Sequence, residues 1–301
     1  MFDIIIFIIS LLAVIKGADI TTDSAIKIAK KYGISEFLIG LTIVAVGTSL
    51  PELASSLSAV HQSTPAIAVS NIIGSNIANI GMVLGITAIL YSRCIRCDVI
   101  KKDIYFLMFS VIATMIAFAD YMLTFTEGLI FIGLYTIYIV QSITSRKKKQ
   151  TETTETAKNM DIILLLVGLA ALTVGANYLI SSGISILTAL GISKSAFGFI
   201  FIAIGTSLPE LTASLIAMKK KHHGLAVGNI IGSNLFNTFV VFGSMATLAT
   251  IPVIRSFYLT AMPILIILTL LLYMVTVRKK LTQYDGVIFL VLYIVSIARV
   301  I

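Results

Sequence analysis

The stretch GTSLPEL occurs twice in the chain without a change, at 47–53 and at 205–211. Each copy places a proline and a glutamate inside a long apolar segment, where both residue types are costly. A second stretch, NIIGSN, follows each copy, at 71–76 and at 229–234. The offset is 158 residues in both cases (205 less 47, and 229 less 71). One ungapped offset indicates an internal duplication.

The composition is that of an integral membrane protein. The chain has 301 residues, of which 58% are hydrophobic and only 12% are charged, and its mean hydropathy is +1.03. Ordinary globular domains carry about 25% charged residues. The net charge of +8 would suit nucleic acid in a soluble protein, but here the basic residues lie in short loops between apolar segments. We therefore expect a lipid bilayer and no nucleic acid as partner.

Ten apolar segments are long enough to form membrane helices. They predict an all-α integral membrane protein in two halves: a first five-helix repeat at 1–145, a linker at 146–161, and a second five-helix repeat at 162–301. Because each half has an odd number of spans, the second repeat must enter the membrane inverted. The segments lie at about residues 2–28, 36–60, 64–92, 103–119, 121–144, 162–187, 194–218, 223–252, 256–277 and 284–300.

The loops give the orientation. All but four of the 22 Lys and Arg residues lie in the loops that follow helices 1, 3, 5, 7 and 9, the exceptions being Lys16, Lys194, Arg255 and Arg299. Cytoplasmic loops carry such an excess of positive charge. We therefore predict a multi-pass protein of the cell membrane with a cytoplasmic linker and with both termini outside.

The duplicated stretches carry oxygen ligands. Thr48 and Glu52 are four residues apart and share a helix face, and Pro51 frees a main-chain carbonyl in the same turn. On the next segment Asn71, Ser75 and Asn79 form a polar stripe at intervals of four. The second half repeats both patterns, with Thr206, Glu210, Asn229, Ser233 and Asn237.

Carboxylate, hydroxyl, amide and carbonyl oxygens suit hard cations such as Ca²⁺ or Na⁺. Glu52 and Glu210 could together neutralise one divalent ion or serve several sodium ions, which is the property of an exchanger. Three Na⁺ would leave one positive charge on the two carboxylates and one Ca²⁺ would leave none. Exchange at that ratio is a hypothesis, and it would move net charge.

Other interpretations compete for several residues. Small residues in membrane helices usually serve packing, which we favour for Ser55, Ser56, Ser58, Gly74 and Gly232. We interpret Asn76 and Asn234 as structural and Asp19 as interfacial. Cys94 and Cys97 have no second pair of ligands with which to bind a metal. His61, His222 and His223 lie at segment ends, as solvated loop residues do.

A channel is a rival function. An enzyme is not indicated, because the sequence contains no constellation of a nucleophile with a base beside it.

These motifs resemble a known family. GTSLPEL followed by NIIGSN-x-x-N, present in two opposite orientations, is similar to the two alpha-repeats of the cation/calcium exchanger superfamily, and most similar to prokaryotic sodium/calcium exchangers. The resemblance implies a ten-helix antiporter that works by alternating access, in which helices 2, 3, 7 and 8 are broken around a central ion site. It also implies transport of Ca²⁺ and Na⁺ without a cofactor, function as a monomer, and helices 1 and 6 as a sliding gate.

The resemblance further implies four cation sites. The calcium site would use Glu52, Glu210 and the carbonyls of Thr48 and Thr206, and Asn79 and Asn237 would border the middle position. One sodium site would use the Ala45 carbonyl with Thr48, Ser49, Glu52 and Ser233. The other would use the Ala203 carbonyl with Thr206, Ser207, Glu210 and Ser75.

Two positions depart from the family pattern. Ser70 replaces the glycine type of Gly228, so helix packing is expected to differ there. Asn237 replaces an acid that is frequent in archaeal relatives and in potassium-dependent members, which argues against potassium co-transport. We expect Na⁺-driven extrusion of Ca²⁺, with Ca²⁺/H⁺ exchange through the same glutamates as the alternative.

Overall fold

Helices form where the sequence is apolar, because a helix satisfies its backbone polar groups internally, as a bilayer requires. The computed structural model of the protein describes residues 2–91, 101–146, 159–190 and 205–300. The α-helices of the first half are α1 (Phe2–Lys31), α2 (Glu36–Ile39), α3 (Ala45–Thr48), α4 (Leu50–His61), α5 (Pro65–Ala78), α6 (Gly85–Tyr91), α7 (Lys101–Ala117) and α8 (Phe125–Arg146). Those of the second half are α9 (Asn159–Ala189), α10 (Leu208–Lys219), α11 (His223–Phe236), α12 (Phe242–Leu248), α13 (Arg255–Val277) and α14 (Gln283–Val300).

Three π-helical segments interrupt these helices. They span Gly40–Val44, Asn79–Leu84 and Asn237–Val241, and they join α2 to α3, α5 to α6, and α11 to α12. Each therefore continues a longer membrane segment rather than ending it.

The described chain also has one short piece of sheet, which the all-α prediction did not include. Strand β1 (Met122–Leu123) pairs antiparallel with β2 (Ile251–Pro252). The N–H of Val253 extends the contact by donating to the carbonyl of Tyr121 at 2.9 Å. The pairing satisfies backbone polar groups where two helix connections meet. Hydrophobic periodicity does not predict such a contact.

Six helices of the described residues are long and apolar enough to cross a bilayer, and the bent pair Glu36–Thr48 and Leu50–His61 makes a possible seventh. The remaining predicted spans are shorter here: α7 has 17 residues and α14 has 18. The segment predicted to begin at 194 is described only from residue 205 onward. The protein is thus a helical membrane protein with at least six spans.

The distribution of polarity is reversed relative to that of a soluble protein. Glu52, Glu210, Asn79 and Asn237 are fully buried. In contrast, α1 and α9 expose many large apolar side chains, among them Phe2 and Leu166. Apolar surface outside and polar groups inside is the arrangement expected of a chain whose solvent is lipid.

Small residues allow the closest helix contacts. A Cβ on Gly17 of α1 would overlap the backbone of Leu172 and Gly168 in α9, and one on Gly232 of α11 would overlap the Leu41 carbonyl. Gly232 thus serves close packing, as expected. The same prediction is wrong for its counterpart Gly74, which lines a cavity and where a Cβ would meet nothing within 4 Å. Gly228, the helix neighbour of Gly232, is equally tight against Phe37, whereas Ser70 is only half-buried and donates to the Ala66 carbonyl at 3.0 Å.

Several predictions fall outside the described residues. These are the linker residues 147–158, the pair Cys94 and Cys97, the site residue Ala203, and residues 194–204 of the segment predicted at 194–218.

Candidate cation site

The two glutamates lie at equivalent helix breaks. Glu52 is in the first turn of α4 and Glu210 is in the first turn of α10. The residue before each helix, Ser49 or Ser207, leaves helical geometry with φ and ψ of −92° and 7° or −92° and 4°. The first break bends the chain by 42°.

Pro51 lies just after a break in the chain and not inside a continuous helix. Pro51 occupies the first turn of α4, where its missing N–H would be unpaired in any case. The Ala45 carbonyl still accepts the N–H of Ser49 at 3.0 Å and lies 3.3 Å from the Thr48 hydroxyl. The chain is therefore helical from Ala45 to Thr48 and is interrupted at one residue, Ser49.

Both carboxylates are fully buried and accept hydrogen bonds from serines. The Ser49 hydroxyl donates to Glu210 Oε1 at 2.9 Å, which links the two halves of the chain. The Ser75 hydroxyl donates to Glu52 Oε1 at 3.3 Å. Hydrogen bonds to an ionised acceptor are stronger than neutral ones, so each serine holds one oxygen of its glutamate in place.

The threonines join the same cluster from both sides. Thr48 donates to Asn229 Oδ1 at 3.1 Å and its hydroxyl lies 3.4 Å from that of Ser233. The equivalent hydroxyls of Thr206 and Ser75 are 3.2 Å apart. Contacts between equivalent residues thus recur at both ends of the site.

Several buried polar atoms at the centre have no hydrogen-bond partner. Within the described part of the chain these include Oε2 of Glu52 and of Glu210, the hydroxyl of Ser207, and both amide atoms of Asn79 and of Asn237. More than 90% of buried polar groups in proteins are normally satisfied. A group of orphaned oxygens around two carboxylates is what a cation-binding site offers.

The asparagines are placed by an irregularity in their helices. Asn79 and Asn237 are the first residues of π-helical segments. Single-turn π bulges are frequent at functional sites. The interval of four predicted that Asn79 continues the stripe of Asn71 and Ser75, but it contains no signal for the wider turn that begins there.

The electrostatics require a positive charge. Neither glutamate forms an ion pair with a basic residue of the described ranges. Isolated buried carboxylates are very costly. Protons or cations must therefore compensate them, and hydroxyl, amide and carbonyl oxygens are the ligands that Ca²⁺ and Na⁺ prefer.

Most predicted site residues meet at this point. Thr48 contacts Ala45 and Ser233, and Ser49 contacts Glu210. Ser75 contacts both Glu52 and Thr206. Ser207, Asn79 and Asn237 are fully buried with unpartnered atoms, and Ala203 lies outside the described residues.

Asn229 was not among the predicted ligands, although its stripe with Ser233 pointed to it. Its amide donates to the Glu210 carbonyl at 3.4 Å and to Ser214 at 3.2 Å, while its oxygen accepts from Thr48. It therefore holds the second helix break in place against the first half.

Other polar residues lie away from the two carboxylates. Asn76 donates to Thr238 at 2.9 Å and Asn234 donates to the Ile230 carbonyl at 2.8 Å, although one oxygen of each remains unpartnered. Asp19 pairs with Lys220 at 2.6 Å. His222 contacts Glu36 at 3.0 Å, and His61 is exposed at the end of α4.

A cavity of about 450 Å³ reaches this cluster from one side. Among the residues that line it are Ser55, Ala59, Asn71, Ser75 and Thr206. Thr206 is half-buried, whereas its counterpart Thr48 is fully buried. The cluster is therefore approached from the Thr206 end.

Comparison with known proteins agrees with this geometry. The sequence profile of the family described as "Sodium/calcium exchanger protein" matches residues 2–144 and 160–301. The chain belongs to the sodium/calcium exchanger family. It is accordingly a transmembrane cation exchanger that includes Ca²⁺ among its ions, a transporter rather than an enzyme.

Relatives of this exchanger cover almost its whole length. An uncharacterized membrane protein of Methanocaldococcus jannaschii is 32% identical over 295 residues, 97% of this chain and 96% of the relative. Sodium/calcium exchanger MaX1 of Methanosarcina acetivorans is 30% identical over 335 residues and covers 96% of each chain. A structure of the sodium-calcium exchanger NCX_Mj soaked with Na⁺ and Ca²⁺ has a TM-score of 0.87 at 32% identity, over 99% of this chain and 98% of that one.

Proposed function

We propose that this exchanger moves Na⁺ in one direction and Ca²⁺ in the other by alternating access, and extrudes Ca²⁺ at the expense of the Na⁺ gradient. The observation that carries the proposal is the pair of fully buried carboxylates, Glu52 and Glu210, which come from opposite halves and have no basic partner in the described chain. One Ca²⁺ neutralises both, and several Na⁺ can do the same.

We propose the binding residues that the family resemblance implies, and the buried cluster around Glu52 and Glu210 supports them. Glu52 and Glu210 with the carbonyls of Thr48 and Thr206 would hold Ca²⁺. The flanking sodium sites would be Ala45, Thr48, Ser49, Glu52 and Ser233 on one side, and Ala203, Thr206, Ser207, Glu210 and Ser75 on the other. Asn79 and Asn237 would border the middle position with neutral amides, so we propose no potassium site.

The finer architecture belongs to the same proposal: ten membrane helices in two inverted repeats, 1–145 and 162–301. Two glycine contacts support it. Gly85 packs on the backbone of Gly286, and Gly243 packs on that of Gly128. Adding 158 to 85 and to 128 gives 243 and 286, so these are the same contact with the halves exchanged.

The orientation is part of the proposal as well. Positively charged loops favour a cytoplasmic linker and termini on the outside of the cell membrane. The cavity is lined by Ser55 and Ala59 of α4, and α4 leads to the connection 62–64, which this orientation puts outside. Because both halves of one chain complete the site, we propose a monomer.

The test is transport by purified protein in sealed vesicles. Calcium uptake should require an outward Na⁺ gradient and should persist when the pH is equal on both sides. Uptake driven by a pH gradient alone, without Na⁺, would instead establish the alternative, Ca²⁺/H⁺ exchange through the same glutamates.

Charge counting adds a second measurement. If three Na⁺ exchange for one Ca²⁺, an imposed membrane potential should change the uptake rate, because one net charge moves per cycle. A rate that does not respond to voltage would rule out that ratio. Passage of Ca²⁺ without any counter-ion would identify a channel.

A further inference from the structure

A cluster of charges joins α1 to the turn that follows α10. Lys220 Nζ lies 2.6 Å from Asp19 Oδ1 and 2.7 Å from Asp23 Oδ1, and it also donates to the Asp19 carbonyl at 3.3 Å. Partial burial lowers the pKa of the Lys220 ammonium, but its hydrogen bonds to the two aspartates outweigh that effect, so its pKa lies above the ordinary value. The lysine therefore stays charged and bound to both acids.

The packing of α1 and α9 on the rest of the protein is unequal. The two helices contact each other closely along glycine faces. Helix α1 also packs along α10, whereas α9 makes little contact with the equivalent helix α4. The pair of long helices therefore covers one half of the site more than the other.

Burial of equivalent alanines follows the same inequality. Ala217 in α10 is only 1% exposed, whereas its counterpart Ala59 in α4 (217 less 158) is partly exposed and lines the cavity. If the pair α1 and α9 packed on the first half as it now packs on the second, α4 would be covered and α10 would be exposed. That exchanged arrangement would open the site toward the opposite side of the membrane.

The ion cluster exists in only one of these two arrangements. The positions equivalent to Lys220, Asp19 and Asp23 (220 less 158, and 19 and 23 plus 158) are Gln62, Asn177 and Ser181. All three are uncharged. The exchanged arrangement therefore breaks two ion pairs of Lys220 and can replace them with neutral contacts only.

We propose that Lys220, Asp19 and Asp23 are positioning residues that hold α1 along α10, and so favour the arrangement whose cavity opens on the side of residues 61–64. The cluster sets the balance between the two access states without contacting an ion. The inference rests on the inverted repeat and the alternating access of the proposed function.

A second ion pair of α1 provides a matched control. Lys27 Nζ lies 3.4 Å from Asp161 Oδ1, so this pair joins α1 to α9. Since α1 and α9 pack on each other, it should be kept when both move together. Lys27→Gln removes a partly exposed lysine charge from the same helix without removing the contact to the α10 turn.

The test measures the accessibility of two cysteine reporters. In a Cys94→Ser, Cys97→Ser background, Ala217→Cys reports the exchanged arrangement and Ala59→Cys reports the present one, each by its rate of reaction with a soluble maleimide in detergent. Partly exposed ion pairs contribute modestly. Asp19→Asn with Asp23→Asn should therefore raise the Ala217→Cys rate by about twofold to tenfold.

Further variants separate positioning from general loosening. Lys27→Gln should leave the Ala217→Cys rate within about twofold. Lys220→Gln should behave like the aspartate variants, and Lys220→Arg should restore the original rate because it keeps the charge. An unchanged Ala217→Cys rate in the aspartate variants, or an equal rise with Lys27→Gln, overturns the inference.

The labelling rates do not depend on transport. If the rates change as expected while vesicles show no Na⁺-driven Ca²⁺ uptake, the proposed function fails and the positioning role stands. If uptake is normal in the starting protein and the rates do not respond, the positioning role alone fails. Should the double aspartate variant not fold, Asp23→Asn alone gives the same test with a smaller expected rise.

Discussion

Replacing Glu52 by Gln should weaken Ca²⁺ binding by orders of magnitude while the protein stays folded. Glutamine has nearly the same shape and can still accept from Ser75, whose hydroxyl is 3.3 Å from Glu52 Oε1. The substitution removes one of the two buried negative charges that face the proposed ion. A bound Ca²⁺ would then keep one uncompensated positive charge beside two fully buried side chains.

The expected magnitude follows from this burial. Glu52 and Glu210 are both 0% exposed, so solvent screens their interaction with an ion very little. Removing one partner of a buried pair costs about 3–5 kcal/mol. That is a loss of roughly two to four powers of ten in Ca²⁺ affinity.

The same change should have the opposite effect on the ion-free protein. Without cations, the two carboxylates are buried without a basic partner in the described chain, which destabilises the folded state. Glu52→Gln should therefore raise the melting temperature in the absence of Ca²⁺ and Na⁺. It should also remove the further rise that Ca²⁺ produces in the original protein.

The assay is calorimetric Ca²⁺ binding in detergent, with melting temperatures measured with and without the ion. Glu127→Gln is the control, since Glu127 accepts from the N–H and hydroxyl of Thr124 at 2.8 and 2.7 Å at the start of α8. It should lower stability by about 1 kcal/mol and leave Ca²⁺ affinity unchanged. A folded Glu52→Gln protein that binds Ca²⁺ within threefold of the original would refute the site assignment.

Three further substitutions test the surroundings of the site. Asn76→Ala loses the 2.9 Å bond to Thr238 and should lower the free energy of unfolding by about 1–3 kcal/mol in denaturation experiments. Its Ca²⁺ affinity should stay within twofold of the original, and a large loss of affinity would instead make Asn76 a ligand. Gly232→Ala forces a methyl group against the Leu41 carbonyl and should destabilise the folded protein by about 1–3 kcal/mol. Gly133→Ala is its control, because a Cβ there meets nothing within 4 Å, and it should not lower the melting temperature. Tyr138→Phe removes a 2.6 Å bond to buried Asp103 and should lower the melting temperature without changing the Ca²⁺ affinity; a change in affinity would contradict the separation of that contact from the site.

The helical membrane fold and the family could be predicted from the sequence because their signals are local. Apolar segments near 20 residues predicted helices such as α1 and α13 to within a few residues, since the bilayer allows few other structures. The exact repetition of GTSLPEL and NIIGSN identified Glu52 and Glu210 as a candidate pair. The free-energy cost of burying an acid in a membrane singled them out, because such acids are rarely tolerated without a function.

Helix irregularities could not be predicted in the same way. Hydrophobic periodicity cannot separate an α-helical turn from the π-helical turns that begin at Asn79 and Asn237. A π-helical turn holds one more residue but requires no particular residue type, so the sequence contains no signal for it. The proline rule predicted a freed carbonyl within one helix at Pro51, but the break lies at Ser49 and Pro51 stands in the first turn of α4. The two-residue pairing of β1 with β2 arises from a contact between connections that are far apart in sequence.

By itself, the sequence determined which residues could serve this protein's chemistry: a duplicated set of oxygen ligands on apolar helices, and a family. Only the tertiary structure decided how they combine. It put the Ser49 hydroxyl on Glu210 across the two halves, left Thr206 half-buried beside a cavity while Thr48 is fully buried, and joined Lys220 to Asp19. The physical reason is that repeated sequences encode equal halves, whereas packing two long helices over one site makes those halves unequal.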